Sequence, residues 1–144
     1  MILCLDTSAY VRLYVHEPGH DQVWNAVQDA ARVASHLIAY AEMRAALARM
    51  GRMGRLAPAA VTSIRSTFEQ DWRDTLRITP TDAMVLRAGD LADHFGLRGY
   101  DSVHLAAAES LRSGRGADFV SFASFDRLLN RAAHEIGFPV LRGG

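Results

Sequence analysis

The feature that most constrains this chain is an alternation. Short apolar runs are separated by longer stretches with apolar residues at helical spacing. Ile2–Leu5 (ILCL) is apolar at every position, as in a strand buried on both faces. Arg32–Ser35 (RVAS), Leu76–Ile78, Asp118–Ala123 (DFVSFA) and Pro139–Leu141 are the other strand candidates. Between them the spacing predicts helices over Ser8 to about His16, Asp21–Ala31, Leu37–Met50, Pro58 to about Asp74, a segment ending near Phe95, Asp101–Ser113 and Asp126–Glu135. Strands that alternate with helices pair in parallel and need helices on both faces. The expected fold is therefore an α/β three-layer sandwich with a mostly parallel central sheet.

The breaks fall where glycine and proline stand. Pro18-Gly19 ends the first helix, Gly51 and Gly54 the third, and Gly114 and Gly116 the sixth. Thr79-Pro80-Thr81-Asp82 reads as a helix start, with Thr79 as N-cap, Pro80 at the first helical position and Asp82 as the capping-box acid; Gly96 is its stop. At 144 residues, residues 1–144 are expected to form a single domain. No apolar run approaches the roughly 20 residues that cross a membrane. The start MILCLD has neither the basic region nor the cleavage pattern of a signal peptide. Cys4 has no second thiol to pair with, which fits a reduced, cytoplasmic protein.

Four acids stand at places where chemistry collects in such folds. Asp6 follows the first strand, and Asp126 follows FVSFA after Ser124 and Phe125. Asp101 opens a helix after GLRGY, and Glu42 lies one turn into the helix after RVAS. Ligands of open α/β sheets bind beyond the carboxyl ends of the strands. Each acid also has a plain structural reading. Asp6 suits a turn, Asp101 and Asp126 suit helix caps, and Glu42 suits a solvated helix face. Glu42, however, sits among Ile38, Ala39, Ala41, Met43, Ala45 and Ala46, without a basic residue four positions on.

Carboxylates about 6 Å apart repel by about 3 kcal/mol at an effective dielectric of about 20. Four in one pocket need protonation or a divalent cation. Oxygen donors without Cys or His favour Mg²⁺ or Mn²⁺. Such an ion polarises a phosphate and activates water. Pooling these four leaves 12 acids against 16 arginines on the rest of the chain, a net-positive exterior suited to a polyanion. All 16 basic residues are arginine, so no mechanism needing a lysine ammonium applies.

The stretches LDTSAYVRLY, AYAEMRAAL, LRGYDSVHLAAAES and FVSFASFDRLLNRAAHEIG, in this order, resemble the PIN-domain ribonucleases and, within them, the VapC-type toxins of bacterial toxin–antitoxin pairs. The resemblance spans nearly the whole chain apart from Gly51–Ile78. It implies a PIN-like fold and a metal-dependent endoribonuclease, with Asp6, Glu42, Asp101 and Asp126 as the catalytic, metal-holding quartet. It implies supporting hydroxyls at Ser8 and Ser124. It also implies an RNA substrate, a homodimer, and a small antitoxin that silences the enzyme.

Arg44, Arg49, Arg52 and Arg55 cluster at the end of the Glu42 helix and in MGRMGR. They read either as a charged helix end favoured by the dipole or as a rim that grips RNA phosphates. His104, three residues after Asp101 on the same helix face, reads as a packing residue or one that supports an acid, with a metal ligand or base as the alternative. His16, His20, His36, His94 and His134 form no zinc spacing. Cys4 reads as a small core residue, and Trp24 and Trp72 as core or interface residues. An aspartyl-phosphate phosphatase or receiver domain would need a lysine, and such a phosphatase a second Asp where Ser8 stands. A PIN-like scaffold that only binds RNA or a partner is the remaining alternative.

Overall fold

The computed structural model describes residues 1–115 and 119–141. Its strands are β1 (Ile2–Leu5), β2 (Arg32–His36), β3 (Leu76–Ile78) and β4 (Val120–Ala123). They form one sheet in the order β3-β2-β1-β4, with every pairing parallel. α1 (Thr7–Val11) and α2 (His20–Asp29) lead from β1 to β2, and α3 (Ala39–Arg52) and α4 (Pro58–Asp74) from β2 to β3. α5 (Asp82–Phe95) and α6 (Gly99–Arg115) carry the chain back across the sheet to β4, and α7 (Arg127–Glu135) follows.

The period of two along β1 divides the core. Ile2 and Cys4 face a cluster with Ala88 and Leu91 of α5, Leu105 of α6 and Leu129 of α7. Leu3 and Leu5 face the opposite cluster, with Tyr10 of α1, Val23 of α2, Met43 of α3 and Phe68 of α4. Helices thus cover both faces, giving the three layers expected. Leu3 and Leu5 are almost wholly buried, each worth about 1.5–3 kcal/mol by transfer out of water. Cys4 belongs to this core, and burial pushes its thiol up to about 12. No helix among the described residues is long and apolar enough to cross a membrane.

Several boundaries differ from the sequence reading. α1 stops at Val11, not near His16, because Arg12, Leu13 and Tyr14 donate to carbonyls three residues back and tighten the turn. The fifth helix is capped by Thr81, whose side chain accepts from the Met84 N–H, and not by Thr79. Gly51 lies inside α3, where a Cβ would come within 3.1 Å of Val61 on α4; it permits close packing of the two helices. α6 begins at Gly99, so Asp101 sits in its first turn and is not its cap. α6 also runs past Gly114. Pro139–Leu141 contributes one parallel bridge, Phe122 to Val140. Gly116 as a helix stop and Asp118 as a strand start lie outside the described residues.

The order β3-β2-β1-β4 fixes where a ligand binds. The chain grows from β1 outward to β3, then returns to the other side of β1 as β4. The reversal lies between the carboxyl ends of β1 and β4, the favoured crevice of such sheets. The N–H of Asp6 donates to the Ala123 carbonyl at 3.0 Å, extending that pairing one residue past β1.

One glycine near this crevice sits where any side chain would be strained. Gly19 has φ +101°, and a Cβ there would stand 2.2 Å from the Phe125 ring. Gly19→Ala is expected to destabilise the fold by at least about 1–2 kcal/mol from backbone handedness alone. A denaturation midpoint unchanged from wild type contradicts this.

Candidate active site

The local sequence explains how each acid reaches the crevice. β1 ends at Leu5 because Asp6 turns the chain into α1. Its Oδ1 accepts from the Ala9 N–H at 2.9 Å as the helix N-cap. Ser8 Oγ donates to the same oxygen at 2.7 Å, and Ser124 Oγ donates to Oδ2 at 2.6 Å. The two serines in turn accept backbone N–H groups, Ser8 from Phe125 and Ser124 from Asp126. Asp6 is 3% exposed. Burial pushes its carboxyl above the ordinary aspartate value, against the opposing pull of Ser124, the His104 charge, Ala9 and Ser8.

Glu42 lies in the first turn of α3. Its Oε1 accepts from Thr7 Oγ1 at 2.7 Å and lies 2.7 Å from His104 Nε2. Burial acts to raise the Glu42 carboxyl, but the His104 and Thr7 hydrogen bonds and the charges of His104 and His36 outweigh it. The carboxyl titrates below the ordinary glutamate value. Behind His104, the buried His36 accepts the Ile38 N–H on Nδ1, while its Nε2 has no partner. Burial and the neighbouring His104 charge lower the His36 pKa, although Glu42 pulls the other way.

Asp126 caps α7 through Oδ1, which accepts from the Leu129 N–H at 2.9 Å. Its Oδ2 lies 3.4 Å from Arg98 Nη2, and Arg98 Nε donates to Asp101 Oδ2 at 3.1 Å. The structure therefore brings Asp6, Glu42, Asp101 and Asp126 to one cleft of about 190 Å³, walled also by Thr7, Ser8, Arg12, Arg98, His104 and Phe125. A larger hollow of about 740 Å³ between α2 and α4 holds only Asp71 and Asp74 as acids. The convergence of acids makes the smaller one the candidate.

None of the four arginines expected at the rim lines the cleft. Arg44 donates to Tyr40 and Glu69 between α3 and α4, and Arg55 pairs with Glu17. Arg49 and Arg52 are exposed near the far end of α3. The cleft's own arginines are Arg12 and Arg98. Arg12 donates to the Ser8 and Pro18 carbonyls and lies 4.3 Å above the Phe125 ring. Sequence reasoning also passed over Thr7. Two signals were present: Thr7 adjoins Asp6, and Arg98 stands three residues before Asp101.

Among the described residues, no three His, Cys, Asp or Glu side chains stand close enough to chelate one ion. The oxygens turn instead to Ser8, Ser124, Thr7, His104 and Arg98. The donor chemistry nevertheless fits a hard cation. Every carboxylate oxygen is a hard ligand, and the Arg98 guanidinium already stands as a positive charge between Asp101 and Asp126.

Comparison with known proteins gives a family, a relative and two similar solved structures. The PIN domain family model matches residues 3–135. Ribonuclease VapC45 of Mycobacterium tuberculosis is 34% identical over 140 residues, 96% of this chain and 94% of that protein. Among solved structures, FitAcB from Neisseria gonorrhoeae superposes with a TM-score of 0.67 at 19% identity, covering 99% of this chain and 98% of that one. VapBC2 from Rickettsia felis, bound to a promoter DNA fragment, gives 0.63 at 14% identity, with 97% of both chains covered.

Two outcomes follow from these contacts. Asp6→Asn turns one of the two accepting oxygens into an N–H donor that faces either Ser8 and Ala9 or Ser124, so it is expected to lower Tm; an unchanged or raised Tm contradicts this. Glu42, with its folded value depressed, contributes stability that is present above its unfolded value and lost as pH falls through the folded one. In His104→Leu that acid-limb loss is expected to shrink, as read from denaturation midpoints across an acid pH series.

Proposed function

Since the chain belongs to the PIN-domain family and is homologous to the VapC ribonucleases of toxin–antitoxin systems, we propose that it is a metal-dependent endoribonuclease and the toxin of such a pair. One observation carries this reading. Four carboxylates from four separate parts of the chain line one cleft where the sheet order reverses. Asp6 and Asp101 are the principal holders of Mg²⁺ or Mn²⁺, and Glu42 and Asp126 complete the site. When bound, the ion supplies activation of the attacking water and neutralisation of the scissile phosphate.

The chain's own residues supply the positioning. Ser8 and Ser124 fix both oxygens of Asp6, so the carboxylate meets its ligand without losing rotational freedom. His104 and Thr7 keep Glu42 ionised and engage Oε1, the one oxygen of Glu42 hydrogen-bonded among the described residues. That leaves Glu42 Oε2 as the ligand or proton acceptor. Arg49 and Arg52 take phosphates farther along the RNA strand.

A small antitoxin is the partner, in keeping with the toxin–antitoxin complex from Klebsiella pneumoniae among the structural neighbours. A homodimer is the working assembly, in keeping with the family. Structured RNAs incubated with Mg²⁺ or Mn²⁺ test the activity. Cleavage is expected to leave a 5′-phosphate and a 3′-hydroxyl. Asp101→Asn is expected to lower the rate by about two to three orders of magnitude, the usual scale for losing one charge-stabilising group. A 2′,3′-cyclic phosphate contradicts water attack. Tight RNA binding without cleavage in either metal supports a non-catalytic module instead.

A further inference from the structure

Arg98 has no part in the chemistry described so far, yet it touches two of the four acids. Its side chain is 81% exposed and reaches from the residue before α6 to Asp101 on that helix and to Asp126 at the start of α7. Leu97, buried beside it, fixes where the side chain starts. The other arginine of the cleft cannot take this place. Arg12 is held by the Ser8 and Pro18 carbonyls and lies near Glu17. The contacts of Arg98, at 3.1 and 3.4 Å, are those of an exposed ion pair, which solvent weakens.

We propose that Arg98 is the built-in counter-cation of the cleft: it neutralises Asp101 and Asp126 while no divalent ion is bound, and turns to an RNA phosphate once one is. The first half follows from charge. Asp101 and Asp126 share one guanidinium, and a divalent ion ligated by the same carboxylates replaces it. The second half follows from repulsion and reach. A guanidinium beside a newly bound divalent ion is driven outward. At the mouth of the cleft it meets the incoming strand, and a planar fork suits phosphate oxygens. This second half rests on the nuclease reading.

The proposal gives two effects of opposite sign, which a merely structural residue does not produce. Removing Arg98 strengthens metal binding and weakens nucleic-acid binding. The first measurement is calorimetric titration of Mn²⁺ alone into wild type, Arg98→Ala and Arg98→Lys. Arg98→Ala is expected to lower the Mn²⁺ Kd by about threefold to tenfold, with lysine between the two. The second is binding of a 2′-deoxy oligonucleotide, which offers phosphates without the 2′-hydroxyl, at saturating Mn²⁺. Arg98→Ala is expected to bind it about threefold to tenfold more weakly, with a salt slope lower by about one. An unchanged or higher Mn²⁺ Kd in Arg98→Ala overturns the proposal, as does undiminished oligonucleotide affinity. Failure of wild type to bind Mn²⁺ removes the metal site itself and this proposal with it. If wild type binds Mn²⁺ and cleaves RNA while Arg98→Ala matches it in both titrations, the Arg98 proposal alone falls.

Discussion

Two serine hydroxyls tie the end of β1 to the end of β4 through one buried carboxylate. Ser8 and Ser124 donate to opposite oxygens of Asp6 and accept the N–H groups of Phe125 and Asp126. An unpaired carboxylate at this depth would be prohibitively costly in an apolar interior. The hydrogen bonds make it tolerable, and in doing so they fix the loop after β4. That loop carries Asp126, and with it the start of α7. It also carries Phe125, against which Gly19 packs without a Cβ and over which Arg12 lies. The position of the crevice, its far wall and the entry into two helices therefore all depend on how Asp6 is satisfied.

Capping a helix does not use up either aspartate. Asp6 and Asp126 each cap a helix with Oδ1 and keep Oδ2 for another partner. Capping fixes the carboxylate plane relative to the helix, and the remaining oxygen inherits that orientation. A cap here is the means by which a short side chain is aimed.

The architecture was legible because it rests on strong local signals. ILCL is apolar at every position, as a doubly covered strand must be, and its alternation assigns Ile2 and Cys4 to one layer and Leu3 and Leu5 to the other. The acids were legible because they stand at strand ends and helix starts. Helix ends were less so. Thr79 and Thr81 are both good caps beside Pro80, and only the path of the chain selects Thr81. The arginine rim was misplaced for a related reason. Sequence proximity to Glu42 along α3 says nothing about direction, and about 1.5 Å of rise per residue carries Arg49 and Arg52 away from the carboxyl edge of the sheet. Arg98 stands only three residues before Asp101 in the sequence, but its contact with Asp126 spans 28 positions and appears only on folding.

The cleft is electrostatically divided. On one side Glu42 is settled: His104 and Thr7 hold its Oε1, and it titrates below its ordinary value. On the other side Asp6 is unsettled by burial, and Asp101 and Asp126 share a single exposed guanidinium. Positive charge entering the cleft therefore gains most on the Asp6, Asp101 and Asp126 side. Glu42 gains less from a cation, because its local partners already favour the ionised form. The guanidinium between Asp101 and Asp126 stays charged at any pH the protein meets, and its contacts are those of an exposed ion pair, which solvent weakens.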